Sequence, residues 1–570
     1  MTNLKSLLTV TPFTPDQWGQ ASETDTPTYQ PPHLTRVSHV EKDGKVTLNV
    51  VVYLPQSYSA APQQTDSPSS EQWSVQVRFN RGSWQTLQLP HPGQDFWSLE
   101  VGDLAPGTSV QYRFRNSQGE WQLLLPMNNL DNVYATSYVP DLTYQWKASW
   151  PKFDHAKVLM ETTFEGLLAG YKGGKFAPQS LEEMFQSSIA RRILRTDIPR
   201  RLSEWAVDEV MAPVSSSVAD RSHLDPKFNY LTYNVVDLDW QIGNSYDFME
   251  LLDTFHRYGI LVVPDLVFAH QVQSPFPGSL DQVQRGDGEA LMVDSQAFLF
   301  RDYGTWMFKL SDANVRQLLI EKIAAFVAKF KLHMIRIDYI DGLILQYCNR
   351  EHNFAEEFIR DLKQELHRVN PKHVALGETF EVASNPAVQS FIDVFYAPVG
   401  FTIVEELYKP PSKMERPLYP NVKHLAYELN RDAQSPRREA VYAQLHDETW
   451  YCQHIVAGRP YVPWAYGGNP AELARRQGEE LIQMGLLSRQ ELLNYVRQTV
   501  RNAEALTMFV ARLRYMFVPT VDSLALGCLD DEGGWKVIWE GIPPQHLLQW
   551  KETGLSEAEI FGCMSSTALT

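Results

Sequence analysis

The stretch from His333 to Leu343, which reads HMIRIDYIDGL, gives the clearest indication of the fold. It begins as a short apolar run and then has a cation and a carboxylate two residues apart, Arg336 and Asp338. Residues two apart share one face of a β-strand, so these side chains point the same way at the end of an otherwise apolar strand. A barrel presents a charged site in this way, and a purely structural ion pair is the alternative.

A helix is predicted directly before this strand. Between residues 311 and 330 the apolar side chains fall on one stripe at helical spacing, behind a serine and an aspartate that can begin a helix. A helix followed by a strand with a carboxylate at its end is the repeating unit of an α/β barrel, whose catalytic residues lie at the carboxyl ends of the strands.

Short apolar strands separated by amphipathic helices continue through most of the chain after Trp150. Eight strands are predicted, at residues 158–162, 205–214, 259–265, 334–338, 373–378, 390–397, 440–446 and 523–527. A second helix is predicted at 245–258, ending at Gly259. The predicted fold class is therefore α/β, a (β/α)8 TIM barrel over residues 149–545, with a loop insertion at about 271–305 that is rich in Pro, Gly, Gln and Asp.

The first part of the chain, residues 1–148, has a different pattern. Apolar and other residues alternate over 45–54, 73–79, 96–101 and 110–114, with Pro and Gly turns between them. This spacing predicts an N-terminal antiparallel β-sandwich. Its tryptophans could bind sugar rings or could pack in the core, and both readings stay open. Residues 546–570 are predicted to form a C-terminal tail.

The amino-acid composition argues against some classes of binding partner. The net charge of −17 and the pI near 5.4 argue against a nucleic-acid partner and against an anionic membrane surface. No apolar run of about 18 residues is present to span a membrane, and the N-terminus lacks a secretory signal. The four cysteines lack metal-finger spacing, which predicts reduced thiols and a cytoplasmic location. No phosphate loop or dinucleotide fingerprint is visible, so no cofactor is predicted.

Acidic residues stand at the ends of four predicted strands. They are Asp265, Asp338, Glu378 and Asp447. Because the carboxyl ends of parallel strands meet at one rim of a barrel, these side chains are expected to converge. Hydrogen-bond donors accompany them in the sequence, namely His270, Arg336 and His446.

Clustered carboxylates repel one another, so one can keep its proton and act as an acid while another acts as a nucleophile. Cleavage of a glycosidic bond requires this division of roles. Two alternatives remain. Carboxylates and histidines could hold a metal ion, but no histidine pair has the local spacing of metal ligands, and no metal site is predicted. The second alternative is a glucan-binding protein that keeps the barrel as a scaffold without catalysis.

The four acid-bearing segments resemble, in order, the four sequence regions of glycoside hydrolase family 13, the α-amylase superfamily. They read LVVPDLVFAH, MIRIDYIDGL, VALGETF and AQLHDETW. The resemblance implies that Asp338 is the nucleophile, Glu378 is the acid/base, and Asp447 binds the sugar hydroxyls and stabilises the transition state.

The same resemblance implies supporting roles for five further residues. Arg336 would orient Asp338, and Asp265 would support the site without reacting. His270 and His446 would contact the hydroxyls of the glucosyl unit, and Tyr230 would stack on a sugar ring.

Within the superfamily the chain resembles glycogen branching enzymes, through GTWMFKLSDANVRQLL, IRIDYIDGLILQYCNR and AEEFIRDL. Asn229 stands where a glycine usually precedes the tyrosine, and Leu266 stands where branching enzymes often have tryptophan. The segment after Asp447 departs from their pattern and is expected to be too short for their C-terminal β-domain. The loss of a terminal domain and of an aromatic side chain at the cleft, at position 266, favours a smaller substrate with water as the acceptor.

The sequence therefore predicts a retaining α-glucoside hydrolase that acts on a small-molecule carbohydrate. Hydrolases of glucosylglycerol belong to this superfamily, and glucosylglycerol is the predicted substrate. A 1,4-α-glucan branching enzyme with the same catalytic trio is the alternative. Oligomeric state is left open.

Overall fold

The computed structural model of the 570-residue chain describes most of the barrel and parts of the N-terminal region. The described residues are 8–9, 34–42, 45–53, 75–87, 96–115, 119–123, 131–133, 136–139, 144–149, 157–162, 164, 167, 193–204, 207–217, 232–238, 245–270, 292–293, 307–308, 310–311, 313–345, 353–379, 382–396, 403, 406–409, 411–413, 422–433, 438–442, 455–456, 459–460, 470–492, 494–496, 498–499, 502–503, 506, 513–517, 527–529 and 535–537. Most of the predicted insertion at 271–305 and the predicted tail at 546–570 lie outside them.

Two antiparallel sheets form the N-terminal region. Their strands are β1 (Leu8–Thr9), β2 (Leu34–Lys42), β3 (Lys45–Tyr53), β4 (Val75–Phe79), β5 (Gln85–Leu87), β6 (Phe96–Leu104), β7 (Ser109–Arg115), β8 (Trp121–Leu123), β9 (Asp131–Val133) and β10 (Thr136–Tyr138). One sheet has the order β1-β6-β3-β2, and the other has the order β5-β4-β7-β10-β9 with β8 paired to β7. The four alternating segments predicted as strands are thus confirmed. Their packing into a sandwich stays a prediction, as do the domain boundaries.

The remaining strands follow in chain order. They are β11 (Lys157–Glu161), β12 (Glu209–Pro213), β13 (Ser215–Ser217), β14 (Thr232–Leu238), β15 (Leu261–Leu266), β16 (Met292–Val293), β17 (Met307–Phe308), β18 (Met334–Ile337), β19 (Val374–Gly377), β20 (Val394–Tyr396), β21 (Arg438–Val441), β22 (Ile455–Val456), β23 (Arg459–Pro460), β24 (Leu513–Phe517), β25 (Gly527–Leu529) and β26 (Trp535–Val537).

Eight of these strands are parallel and close into a barrel, in the order β11-β12-β15-β18-β19-β20-β21-β24. The other eight form four separate antiparallel pairs, β13-β14, β16-β17, β22-β23 and β25-β26. The predicted α/β class is confirmed. A helix after every strand, as in a complete (β/α)8 repeat, stays a prediction.

The eighth barrel strand is not where the sequence pattern placed it. The prediction at 523–527 is wrong, because β24 pairs with both β11 and β21 and closes the barrel. Gly527 instead begins β25, which pairs antiparallel with β26. The sequence DDEGG between β25 and β26 is rich in turn formers and favours such a local hairpin.

The helices are α1 (Ile198–Glu204), α2 (Ser245–Arg257), α3 (Ala313–Lys329), α4 (Ile340–Leu345), α5 (Phe354–Val369), α6 (Pro386–Phe391), α7 (Val422–Ala433) and α8 (Pro470–Gln483). A π-helical turn covers Ile193–Asp197, and 3-10 turns cover Pro411–Lys413 and Arg489–Glu491. The helices predicted at 245–258 and 311–330 are confirmed as α2 and α3. Gly259, after α2, has φ +78°, which glycine adopts without strain. Within the described part of the chain, no helix has the length and apolar character needed to cross a lipid bilayer.

Side chains alternate between two cores along the barrel strands. The barrel interior contains Leu159, Met211, Leu261, Val263, Met334, Val374, Leu376, Val394, Tyr396, Ala440 and Tyr442. The residues between them face outward and pack with α2, α3 and α5, as Val262, Ile335 and Ala375 do. Because the period is two, Asp265, Arg336 and Glu378 continue the inward series at the carboxyl ends of their strands.

The segment at 144–149, just before the barrel, is fixed to α2 through Asp253. The buried Asp253 carboxylate accepts hydrogen bonds from the Tyr144 hydroxyl (2.9 Å), Lys147 N (3.0 Å) and Ala148 N (2.8 Å). Tyr144 and Trp146 also pack against the strand–helix core. This set of hydrogen bonds, the Asp253 contact, therefore ties the N-terminal region to the barrel.

The pH dependence of stability can be tested at His373, which lies buried just before β19. Among the described residues neither ring nitrogen has a hydrogen-bond partner. Burial, with a smaller contribution from Lys363, lowers the pKa of His373 to about 3. Because the unfolded chain takes up a proton near its ordinary pKa of about 6.5, we expect the native state to lose stability as pH falls from about 6.5 towards 3.

His373→Phe keeps an aromatic ring without titratable nitrogens and should reduce that loss. Urea unfolding at about pH 7.5 and about pH 5 measures the loss of stability, which is the difference between the free energies of unfolding at the two pH values. An undiminished difference in the variant would contradict the assignment of this loss to His373.

Candidate active site

Arg336 contacts three carboxylates at the carboxyl end of the barrel strands. Its Nη1 donates to Asp265 Oδ1 (2.9 Å) and to Asp338 Oδ1 (2.6 Å), and its Nη2 donates to Glu378 Oε2 (2.8 Å). Its Nε donates to the Tyr396 hydroxyl at 3.1 Å. The Arg336 side chain is fully buried, so its donors are directed at protein groups rather than at solvent.

The barrel register explains why these side chains meet. β15, β18 and β19 are consecutive strands of the barrel, and Asp265 is directly opposite Arg336. Asp338 follows β18 and Glu378 follows β19. Asp338 N donates to Leu266 O (3.1 Å), and Glu378 N donates to Ile337 O (3.0 Å). The backbone ladder therefore extends one residue past the strands and fixes both acids.

The cluster has more acidic groups than Arg336 alone can balance. Asp265, Asp338 and Glu378 side chains are 0%, 9% and 13% exposed, and all three contact the single guanidinium. Repulsion between buried carboxylates favours retention of a proton on one of them. An acid beside an ionised carboxylate is the arrangement that glycosidic cleavage needs.

Tyr339 supplies a backbone donor to Glu378. Its N–H donates to Glu378 Oε2 at 2.9 Å, and its φ is +47°. Residues other than glycine rarely adopt this left-handed conformation, which costs conformational energy. The surrounding contacts must offset that cost, and the tight turn directs the Tyr339 N–H at the acid.

His270 lies beside Asp338 as a neutral ring. Its Nε2 is 3.8 Å from Asp338 Oδ2, which is longer than a hydrogen bond. Burial lowers the pKa of His270 to about 4, and the nearby Glu378 carboxylate only partly opposes this effect. Near neutral pH the ring can therefore donate one N–H to a sugar hydroxyl without adding positive charge.

Five of the eight predicted site residues are described, and the structure brings them together: Asp265, His270, Arg336, Asp338 and Glu378. The other three, Tyr230, His446 and Asp447, lie outside the described residues. The catalytic roles of all eight stay predictions.

Tyr396 was missed by the sequence reasoning. Its place as an inward residue of the predicted strand at 390–397 was the available signal. Its hydroxyl binds Arg336, and its ring packs edge-on against Tyr442, with ring centroids 5.3 Å apart.

Leu266 does not line the barrel mouth. It follows the inward-facing Asp265 and is buried in the outward strand–helix core. The expectation that a cleft aromatic is lost at this position is therefore wrong, since the side chain at 266 faces the helices. Leu266 is fully buried, so it does not itself contact a bound sugar.

Arg336 is the cation that the acids of this site share. Among the described residues, no group of three or more His, Cys, Asp or Glu side chains is arranged to hold a metal ion.

The importance of the guanidinium can be tested with Arg336→Met, which keeps side-chain length and removes the charge. Breaking a buried ion pair costs about 3–5 kcal/mol because it leaves buried charge uncompensated. Thermal unfolding of the variant and of the wild type measures this loss.

Arg360→Met is the matched control. Arg360 is 56% exposed and lies 3.4 Å from Asp361, so its loss should cost less than about 1 kcal/mol. Equal destabilisation by the two variants would contradict the prediction.

Comparisons with known proteins identify relatives that are named as branching enzymes. No protein-family model matches the chain. The 1,4-alpha-glucan branching enzyme of Nitrosomonas eutropha is 26% identical over 339 residues, which cover 53% of this chain and 42% of that enzyme. The 1,4-alpha-glucan branching enzyme of Rubrobacter xylanophilus is 22% identical over 376 residues, which cover 64% of this chain and 47% of that enzyme. The chain thus spans less than half the length of these relatives.

Solved structures show the fold. The pullulanase of Anoxybacillus sp. LM18-11, complexed with maltotriose, has a TM-score of 0.57 at 13% identity and covers 93% of this chain and 72% of its own. At that identity the likeness concerns the fold alone. The branching-enzyme relatives confirm the resemblance that the four acid-bearing segments predict: the chain resembles glycoside hydrolase family 13, the α-amylase superfamily, with similarity to its branching enzymes.

Proposed function

We propose that this chain cleaves an α-glucosidic bond with retention of configuration, through a covalent glycosyl-enzyme. The observation that supports this most directly is the shared guanidinium of Arg336, which contacts both Asp338 and Glu378 at the ends of adjacent strands. Retaining glycosidases work with two carboxyl groups about 5 Å apart, and contact with one guanidinium fits such a separation.

In the first step an Asp338 oxygen attacks the anomeric carbon. The bond from that carbon to the glycosidic oxygen breaks, and Glu378 gives its proton to the departing oxygen. In the second step the Glu378 carboxylate takes a proton from an acceptor hydroxyl, whose oxygen displaces Asp338 from the anomeric carbon. Arg336 stays protonated throughout, so it orients both acids without competing for the proton.

The remaining site residues bind the sugar and position the acids. Asp265 shares Nη1 of Arg336 with Asp338, so it limits the orientations open to the guanidinium. His270 is near enough to the nucleophile to contact a hydroxyl of the bound sugar. By resemblance, Asp447 stabilises the transition state, His446 binds hydroxyls, and Tyr230 stacks on the ring.

The acceptor distinguishes a transferase from a hydrolase. The relatives are named 1,4-alpha-glucan branching enzymes, so transfer to a hydroxyl of a glucan chain is the better supported reaction. Hydrolysis of glucosylglycerol, the first choice from the sequence, gains no support from the comparisons, and Leu266 no longer argues for it. The proposal includes a complete (β/α)8 barrel with an N-terminal sandwich, a carbohydrate substrate, no cofactor and a cytoplasmic location.

The purified full chain should be incubated separately with amylose and with glucosylglycerol. Loss of iodine staining of amylose without new reducing ends indicates branching. Free glucose from glucosylglycerol indicates hydrolysis of a small glucoside. No turnover of amylose, glucosylglycerol or other α-glucosides would overturn the proposal.

Substitution of the two acids tests their roles. Glu378→Gln should lower turnover by about 10²–10⁴-fold, because the amide cannot transfer a proton. Asp338→Asn should lower it at least as far, because no glycosyl-enzyme can form. Melting temperatures would verify that both variants fold.

Asp393→Asn is the control for removing a barrel carboxylate. Asp393 pairs with Lys363 (2.6 Å) and accepts from Ala375 N (2.8 Å), away from the reacting acids. Near-normal turnover of either acid variant would show that the roles are wrongly assigned.

A further inference from the structure

Asp341 has no role in the mechanism above, although it lies in the same stretch as Asp338. It is in the first turn of α4 and is 4% exposed. Its Oδ1 accepts hydrogen bonds from Thr379 Oγ1 (2.7 Å) and Val382 N (3.1 Å). Thr379 follows Glu378 directly, so these two hydrogen bonds, the Asp341 contact, fix the chain as it leaves the proposed acid.

Glu378 is held from the same side by the residues before Asp341. Ile340 N donates to Glu378 O (3.0 Å), and Tyr339 N donates to Glu378 Oε2 (2.9 Å). The turn after β18 thus contacts Glu378 at its carbonyl and its carboxylate, and Asp341 continues the contact to Thr379 and Val382. Movement of the segment after Glu378 would change the direction of the acid.

The chemistry of the Asp341 contact makes it rigid. A buried carboxylate needs hydrogen-bond donors, because burial without them is costly. Hydrogen bonds to a charged acceptor are shorter and stronger than bonds between neutral groups. Thr379 is fully buried, so its hydroxyl cannot turn to bulk solvent when this bond breaks.

We propose that Asp341 is a positioning residue that, through Thr379 and Val382, holds Glu378 where it can protonate the leaving group. The inference rests on the proposed function and adds a residue to it. Asp341 does not react. It determines whether the proton of Glu378 is delivered in line with the breaking bond.

The leaving group provides the decisive test. α-Glucosyl fluoride needs little proton donation because fluoride departs readily, whereas an alcohol leaving group needs it. Asp341→Ala should lower kcat/KM by about 10- to 100-fold for the alcohol-leaving substrate that the wild type turns over, since small misplacements have effects of this size. The loss for α-glucosyl fluoride should be much smaller. A merely structural defect would lower both values equally.

Conservative variants distinguish the effect of losing the hydrogen bond from the effect of losing side-chain volume. Asp341→Asn keeps an acceptor oxygen and should recover part of the activity on alcohol-leaving substrates. Thr379→Val removes the hydroxyl at nearly constant volume and should reproduce the defect, whereas Thr379→Ser should not. If Asp341→Ala does not fold, the two Thr379 variants decide the question.

Asp253→Ala is the matched control. Asp253 is also a buried carboxylate that accepts from a hydroxyl and from backbone N–H groups, but it lies in α2 and binds the segment at 144–149. It should reduce stability without changing the ratio of the two kcat/KM values. The same change of ratio in Asp253→Ala would overturn the inference.

The Glu378→Gln variant shows whether this inference or the proposed function has failed. If the wild type turns over neither type of substrate, the proposed function fails. If Glu378→Gln loses far more activity on the alcohol-leaving substrate than on the fluoride, and Asp341→Ala and Thr379→Val do not, the positioning role alone is wrong.

Discussion

The ion pairs of Arg336 connect the ends of three adjacent barrel strands. A guanidinium presents several donors in one plane, so it can bind Asp265, Asp338 and Glu378 together, which a lysine ammonium could not do in the same geometry. Each partner depends on the others, since a buried charge without its counter-charge is strongly destabilising. The arrangement of the acids is therefore a property of the cluster.

The same cluster depends on the alternation of the strands below it. Val263 and Met334 fill the barrel interior, and two residues later Asp265 and Arg336 point the same way from the same strands. The apolar layer lies beneath the charged layer, and Val263 and Met334 in it are fully buried. A low-dielectric floor strengthens the charge interactions above it. The same two-residue alternation thus places both the apolar side chains of the barrel interior and the charged side chains of the site.

Much of this arrangement follows from the sequence, because it is periodic. Apolar runs located seven of the eight barrel strands, and charged residues at their ends located the acids. The eighth strand was misplaced, since an apolar run does not reveal whether it pairs within the barrel or in a local hairpin. The face on which Leu266 lies was also misread, because a one-residue difference reverses the direction of a side chain in a strand.

The sequence does not predict which residues far apart in the chain are in contact. Asp341 meets Thr379, and Arg336 meets Tyr396, only because the barrel brings adjacent strand ends together. Spacing in the chain does not show which hydroxyl or carboxylate will be the partner. The positive φ of Tyr339 has no marker either, since glycine, the usual residue for that conformation, is absent there.

The Asp253 contact bears on how the polypeptide can be divided. A truncation at the junction of residues 148 and 149 would discard the Tyr144 hydroxyl and the amides of Lys147 and Ala148, leaving a carboxylate on α2 stripped of those three donors. A buried carboxylate left without donors costs about 1–3 kcal/mol or more. An excised barrel that begins upstream of Tyr144 would retain all three donors.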